Sequence, residues 1–485
     1  MHVSCGGFCR HRYSILIELF WAKKMHIQIL KYLLTIAVLW PAVLLSAVEA
    51  RAEVFEKTLG NGLKVIVKED HRAPVIVQQV WYRAGSMDEN IGVTGVAHVL
   101  EHMMFKGTKT VPVGQFSKRI SAAGGRENAF TSNDYTAYFQ QLHKSKLPLA
   151  MQLESDRMHN LHLTETEFSK EIKVVMEERR MRTDDEPQGL VTEKLMAAAY
   201  QEHPYRTPVI GWMNDLQTLS VNDAKTWYKN WYAPNNATLV VAGDVKASEV
   251  FALAQRFYGP IPARSLPVRK HFSEPPQLGV KRIVVKAPAE LPHLVMAYHA
   301  PSLRDPEKDW QPYALQILTG ILDGNASARL NKILVREKQL ASNVGAEYDA
   351  TSRGPSLFVL EGTPSEGKSV TEMEEGLREQ IAILKRDGVN EDELKRAKAQ
   401  VTASEVYKLD SLFYQAMQIG QMESIGLTYK AIPVILKKLQ AVTAQQVLDV
   451  AREFLHDDQL TIAVLEPQPL SGKPKQKNKG ASHAH

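Results

Sequence analysis

Apolar positions along this chain follow two alternating grammars, and each grammar is used twice. Residues Val54–Lys68 alternate apolar and polar on both sides of Asn61-Gly62, a strong short-range hairpin signal. A third strand is predicted near Val75–Arg83, followed by a short helix around His98 and a second hairpin over 126–142. Helical periodicity returns over about 145–160, 164–182 and 221–232, and Ala237–Asp244 reads as a short buried strand. Between Tyr258 and Pro276 the chain carries Pro260, Pro262, Pro267, Pro275 and Pro276 among scattered charges, the composition of a linker. The same order then restarts: strands Lys281–Pro288 and His293–Tyr298, helices near 309–322 and 327–340, a strand near 356–361, helices to about 455, and a last strand Leu460–Leu465. Val80–Ser86 before the first helix resembles Met296–Ser302 at the matching place in the repeat. The pattern predicts an α+β protein with two homologous α/β-sandwich domains, 53–258 and 280–468, each an antiparallel sheet packed with helices. A Pro-rich linker, 259–279, joins them.

The helix around His98 carries the chemistry. Residues 98–102 read His-Val-Leu-Glu-His, and positions three and four apart share a helix face. His98, Glu101 and His102 therefore project together, while Val99 and Leu100 turn to other packing. Two imidazoles one turn apart suit a zinc ion, and the carboxylate between them suits a general base acting on zinc-activated water. This order is the inverted zincin signature. Gly107 stands where such a helix would stop. The second repeat has no His-x-x-Glu-His, so only the first copy keeps a metal site. A catalytic zinc takes a third protein ligand. Glu171 and Glu178, two turns apart on one face of the 164–182 helix, are candidates, whereas Glu177 points about 100° away. Spacing alone does not choose between Glu171 and Glu178. His159 and His162 lack a carboxylate partner and read as surface residues; His483 and His485 sit in the tail.

Composition changes the picture mainly at the two ends. A basic start, an apolar run from Tyr32 to Val48 and Ala50-Arg51-Ala52 read as a secretory signal peptide over 1–52, with Met25 as the expected start of translation. Both cysteines, Cys5 and Cys9, precede Met25, so the mature chain uses no disulfides. The chain has 59 Lys and Arg against 54 Asp and Glu, but six basic and two acidic residues lie in 1–52 and four lysines in the tail Ser471–His485. The body between them is slightly acidic, near −3, and no basic face points to nucleic acid. The Lys-rich tail, 469–485, is expected to be disordered.

With these residues in place, the chain resembles the pitrilysin or insulinase (inverzincin, M16) family of zinc peptidases, which includes the mitochondrial processing peptidases and half-length bacterial enzymes. The likeness spans roughly 54–466. It implies one Zn2+ per chain held by His98, His102 and Glu178, the last lying 76 residues beyond His102. It further implies Glu101 as general base and Glu171 as its accessory carboxylate. Gly124–Thr131 followed by Asp134–Tyr138 is similar to the edge strand on which the family lays extended peptides, so Asn128, Ala129 and Phe130 are expected to bind substrate. His203–Arg206 and Tyr232–Thr238 match family landmarks of structural role. One departure stands out. Where relatives carry an Arg and then a Tyr six or seven residues on, this chain has Arg336 but Ser342, and a serine hydroxyl cannot reach where a tyrosine's would. The resemblance thus implies a zinc endopeptidase of short or unfolded peptides, exported to the periplasm of a Gram-negative bacterium and without a stable membrane span once the signal is removed. It also implies a dimer, with a homologous subunit supplying the missing Tyr. The competing expectation is a non-catalytic or partner-dependent subunit of a heteromeric peptidase complex.

Overall fold

Strands β1 (Val54–Thr58) and β2 (Lys64–Glu69) pair antiparallel with Thr58 opposite Lys64, and Gly62 turns the chain at φ 87° between them. Asn61 holds this turn twice over. Its carbonyl oxygen accepts from the Leu63 amide at 3.2 Å, and its amide donates to the carbonyls of Tyr258 and Ile261, both at 2.8 Å. A computed structural model describes residues 53–470. The signal-like segment 1–52 with Met25, Cys5 and Cys9, and the tail from Ser471 with His483 and His485, lie outside the described residues.

The first sheet adds β3 (Val75–Tyr82), β4 (Arg126–Thr131), β5 (Thr136–His143) and β6 (Ala237–Gly243), in the order β1-β2-β6-β3-β5-β4. The second contains β7 (Lys281–Pro288), β8 (His293–Ala300), β9 (Ala341–Tyr348), β10 (Ser356–Pro364) and β11 (Leu460–Gln468), in the order β7-β11-β8-β10-β9. With β1 set aside, the two orders are the same. Each sheet is antiparallel at every pair but one, because its last strand enters between the first two and runs parallel to one of them: β6 to β2, and β11 to β7. The fold is α+β, with this one parallel pair per sheet where the alternation predicts antiparallel pairing throughout.

Period-two alternation divides the strands cleanly between cores. Val65, Val67, Ile76, Val80, Leu239 and Val241 face the helices Val96–Met103, Leu147–Asn160, Val221–Trp231 and Ala247–Phe257. Their neighbours Ile66, Val77, Trp81, Val240 and Ala242 face the opposite way, into a core shared with the second half. There the helix Leu412–Ile425 lies on β3 and β6. The exchange is reciprocal. Helix Pro187–Ala199, from the first half, sets Val191, Leu195 and Ala199 against Val295, Ala297, Ala463 and Leu465 of the second sheet. The Pro-rich segment between the halves is fastened along its length. Arg269 bonds to the Arg83 carbonyl and to Asp88, Glu274 accepts from the amides of Gln201, Glu202 and His203, and Gln277 donates to the Leu460 carbonyl at 2.6 Å.

Among the stretches that differ from the pattern reading, two show why. The predicted helix 327–340 is only a π-helical segment, Asn331–Glu337, ended where Gln339 takes φ 50° and the chain enters β9. Pairing with β10, from Ala341 opposite Pro364, overrides the local helical periodicity. Helix Pro187–Ala199, which no periodicity marked, forms because its apolar side covers the second sheet.

Close approach of Leu412–Ile425 to the first sheet depends on Gly420, where a Cβ would stand 2.1 Å from the buried Trp81 ring. Gly420→Ala is expected to destabilise the chain by about 1–3 kcal/mol through overpacking, outweighing alanine's better helix propensity. Urea unfolding checks this; unchanged or raised stability would show that the helix can lift without cost.

Candidate metal centre

Helix Val96–Met103 is packed on its apolar side and held by its first turn. Val96, Ala97, Val99, Leu100 and Met103 are buried, which leaves His98, Glu101 and His102 on the remaining face. The exposed amides of a helix start need partners, and two carboxylates supply them. Glu89 accepts from the Gly95 and Ala97 amides, both at 2.8 Å, and Asp215 from Gly92 and Thr94, both at 3.1 Å. Burial pushes the Glu89 carboxyl up to about 8. The helix ends at Met103, four residues before Gly107, which turns the chain at φ 93°.

Opposite lies helix Glu165–Arg179, started by the Thr164 hydroxyl accepting from the Glu167 amide. Ligand atoms of His98, His102 and Glu178 lie within 4.8 Å of one another. One Glu178 oxygen stands 3.8 Å from His98 Nε2 and 3.4 Å from His102 Nε2. Glu171 stands on the far side of the same imidazole, 3.5 Å from His102 Nδ1, and takes Lys106 Nζ at 2.7 Å. Geometry thus separates the two carboxylates that spacing left equivalent: Glu178 faces both histidines, and Glu171 orients one of them. Glu177 is exposed and pairs with Arg180. Glu101 accepts a hydrogen bond from the Thr131 hydroxyl at 2.5 Å.

Burial, then the charge of His102, drives the His98 imidazole down to about 4, so it is neutral and ready to ligate. Burial works against charge on His102 as well, but Glu171 and Glu178 outweigh it and hold it up at about 9. Glu178 is kept ionised chiefly by His102. Burial raises Glu101, with the Thr131 hydroxyl opposing, which makes it a stronger base than an exposed glutamate. A neutral imidazole with its Nδ1 buried and unpartnered, a second imidazole oriented by a carboxylate, and an ionised glutamate fit a zinc ion's donor set.

Asn128, Ala129 and Phe130 lie on β4, the outer strand of the first sheet, which among the described residues pairs only with β5. β4 continues directly into Thr131 and so abuts Glu101. Arg336 is exposed on the π-helical segment and makes no hydrogen bond or ion pair with the metal-site residues. Ser342, on β9, donates its hydroxyl to the Thr363 carbonyl at 3.2 Å. His159 and His162 are exposed. The residue reading passed over Thr131's contact with Glu101, Lys106, Arg182 and Glu89. Arg182 pairs with Glu178 at 2.6 Å and lies four residues after it, so helical spacing could have found that contact, whereas Lys106 lies beyond the end of the motif helix and meets Glu171 only through the fold. Glu89 and Thr131 reach the site only through the fold.

An inverted His-x-x-Glu-His helix converging with a glutamate helix, inside an α+β sandwich, defines a metal-binding protein of the inverted-motif class. Residues 64–211 match the family model described as insulinase (peptidase family M16), and residues 218–401 match that of the peptidase M16 inactive domain. The chain is 32% identical over 426 residues to zinc protease PqqE of Helicobacter pylori, covering 84% of this chain and 92% of that one. It is 26% identical over 410 residues to the uncharacterized zinc protease YmxG of Bacillus subtilis, covering 84% and 97%. The crystal structure of a protease from Helicobacter pylori superposes with a TM-score of 0.81 at 29% identity, covering 86% of this chain and 100% of that one. The chain belongs to peptidase family M16.

Because His102 carries a proton up to about 9, metal must displace it. Affinity for zinc is therefore expected to weaken as pH falls, by roughly tenfold per unit between about 9 and 7, with one proton released per ion bound. His98, neutral above about 4, adds nothing in that window. Competition titration against a chelator measures this, and a flat profile would refute it.

Proposed function

We propose that this chain is a zinc-dependent endopeptidase acting on short or unfolded peptides. The observation that carries the reading is the convergence of His98, His102 and Glu178 beside a half-buried Glu101 that accepts from Thr131, the last residue of the outer strand β4. His98, His102 and Glu178 would hold the zinc ion, which when bound would supply a Lewis acid for water and the scissile carbonyl. Glu101, its basicity raised by burial, takes a proton from the attacking water and returns it to the leaving amine as the C–N bond breaks. Thr131 fixes the orientation of that carboxylate, and Glu171 with Lys106 fixes the His102 ring. An extended peptide pairs with β4 at Asn128–Phe130 through its backbone, which favours unfolded segments over folded ones.

Two observations favour the partner-dependent form of this reading. Arg336 is exposed and forms no hydrogen bond or ion pair with the metal-site residues, and the Ser342 hydroxyl is engaged by Thr363. We therefore infer that this chain is the zinc-bearing subunit, with a homologous chain supplying the Tyr that Ser342 replaces. The apolar run 32–48 supports an exported, periplasmic setting.

Replacing Glu101 by Gln is expected to lower peptide cleavage by about 10²–10⁴-fold while zinc stays at one per chain. Metal analysis and cleavage of an unstructured fluorogenic peptide read both; a fully active variant would remove the general-base role. Mass analysis of the native complex tests the second point. A chain fully active when purified alone would remove the need for a partner.

A further inference from the structure

The first-half segments that carry the site are gripped by one residue of the second half. Arg353 lies in the loop between β9 and β10, and its guanidinium reaches Asp88 with both arms, at 2.8 and 3.1 Å. Its backbone amide donates to Asp134 Oδ2 at 3.0 Å, and its Nη1 donates to the Asp134 carbonyl at 3.1 Å. Asp88 and Asp134 sit in the two loops that lead to the site. Glu89, next to Asp88, holds the first turn of the His98 helix. Asp134 lies in the turn of the β4–β5 hairpin, three residues from Thr131, which holds Glu101. The two loops are also zipped to each other. Ser86 and Met87 amides donate to the carbonyls of Ser132 and Asn133 at 3.1 and 3.0 Å, and a Cβ at Gly85 would stand 2.4 Å from the Ser132 carbonyl.

The grip itself is built tightly. The Arg353 and Asp88 side chains are 8% and 4% exposed. Tyr205 donates to Asp134 Oδ1 at 2.5 Å and accepts from the Gly354 amide at 2.8 Å. A Cβ on Gly354 would meet His203 at 2.3 Å, so only glycine lets the loop in this far. An ordinary interface ion pair would join two surfaces anywhere. This one joins the second half to the loops that position the metal-binding histidines and the general base, and to both at once.

We propose that Arg353 is a positioning residue for the reaction: the half without a metal site sets the registry between the His98 helix and the Glu101–Thr131 contact through it. The inference rests on the peptidase reading above. Its test uses the full chain loaded with zinc, with its partner if the wild type requires one. The variants are Arg353→Met, Arg353→Lys and Asp88→Asn, the last keeping the side-chain shape in case Arg353→Met fails to fold. Hydrogen–deuterium exchange at residues 86–97 and 131–135 is expected to rise on the order of tenfold in Arg353→Met and Asp88→Asn, while β8 and β10 keep wild-type protection. With peptide substrate, kcat is expected to fall on the order of 10- to 100-fold with KM within about twofold. Arg353→Lys, which keeps the charge and loses the fork, is expected to recover part of both. Wild-type exchange and kcat in the variants would overturn the proposal, as would a loss of protection spread evenly over the chain, the mark of a merely structural role. If the wild type loaded with zinc cleaves no peptide, the peptidase reading fails and the exchange pattern still decides whether Arg353 orders these two loops.

Discussion

Everything in the first half answers to one constraint: a helix carrying two imidazoles and a carboxylate has to be buried. Removing an ion from water costs several kcal/mol even after relaxation, so such a face survives only inside a network of alternating sign. That network is present. Glu101, Glu171 and Glu178 are interleaved with His102, Lys106 and Arg182, and each contact that satisfies one member also aims another. Orientation of the reactive groups is therefore a by-product of making their burial tolerable. The same requirement explains why the helix Glu165–Arg179 is acidic on a face that is not fully solvated, and why two more carboxylates, Glu89 and Asp215, gather at the start of the motif helix.

Local features of the chain were legible because they are written locally. Asn61-Gly62, the alternation of β3 and β6, and the five residues from His98 to His102 each carry their meaning within a few positions. The choice between Glu171 and Glu178 was not of that kind, since two turns of helix put both on one face. Only the direction of approach of the other helix separates them, and the family resemblance assigned what the spacing left open. Helix Pro187–Ala199 was missed because what stabilises it is a sheet about a hundred residues further along. β9 was missed because Ser342, Asn343 and Gly345 have little intrinsic strand preference, and the strand exists by pairing with β10. Arg353 is the extreme case, 265 positions from the aspartate it binds; no periodicity within either segment could reveal it.

The second half has lost the metal-binding motif yet is not simply a copy left to drift. The family model described as the inactive domain matches residues 218–401, from the end of the first half through the Pro-rich segment into the second, and that description fits a second half without His-x-x-Glu-His. It does not describe what the half does for its neighbour. The helix Leu412–Ile425 covers one face of the first sheet, and the loop at Arg353 braces two of that sheet's connections. In this structure the half without the motif packs on and bonds to the half that carries it.

The crossed helices have a consequence for how such a protein could come apart. Each sheet finishes its covering with a helix encoded beyond the Pro-rich strap, on the other side of it. Cutting the gene there would yield two polypeptides, each with a bare apolar sheet face and each holding the cover for the other. Each would lack the apolar partner that its sheet packs against in the whole chain. The cover of each sheet is thus shared across the Pro-rich strap, while the strand order still repeats from one half to the other.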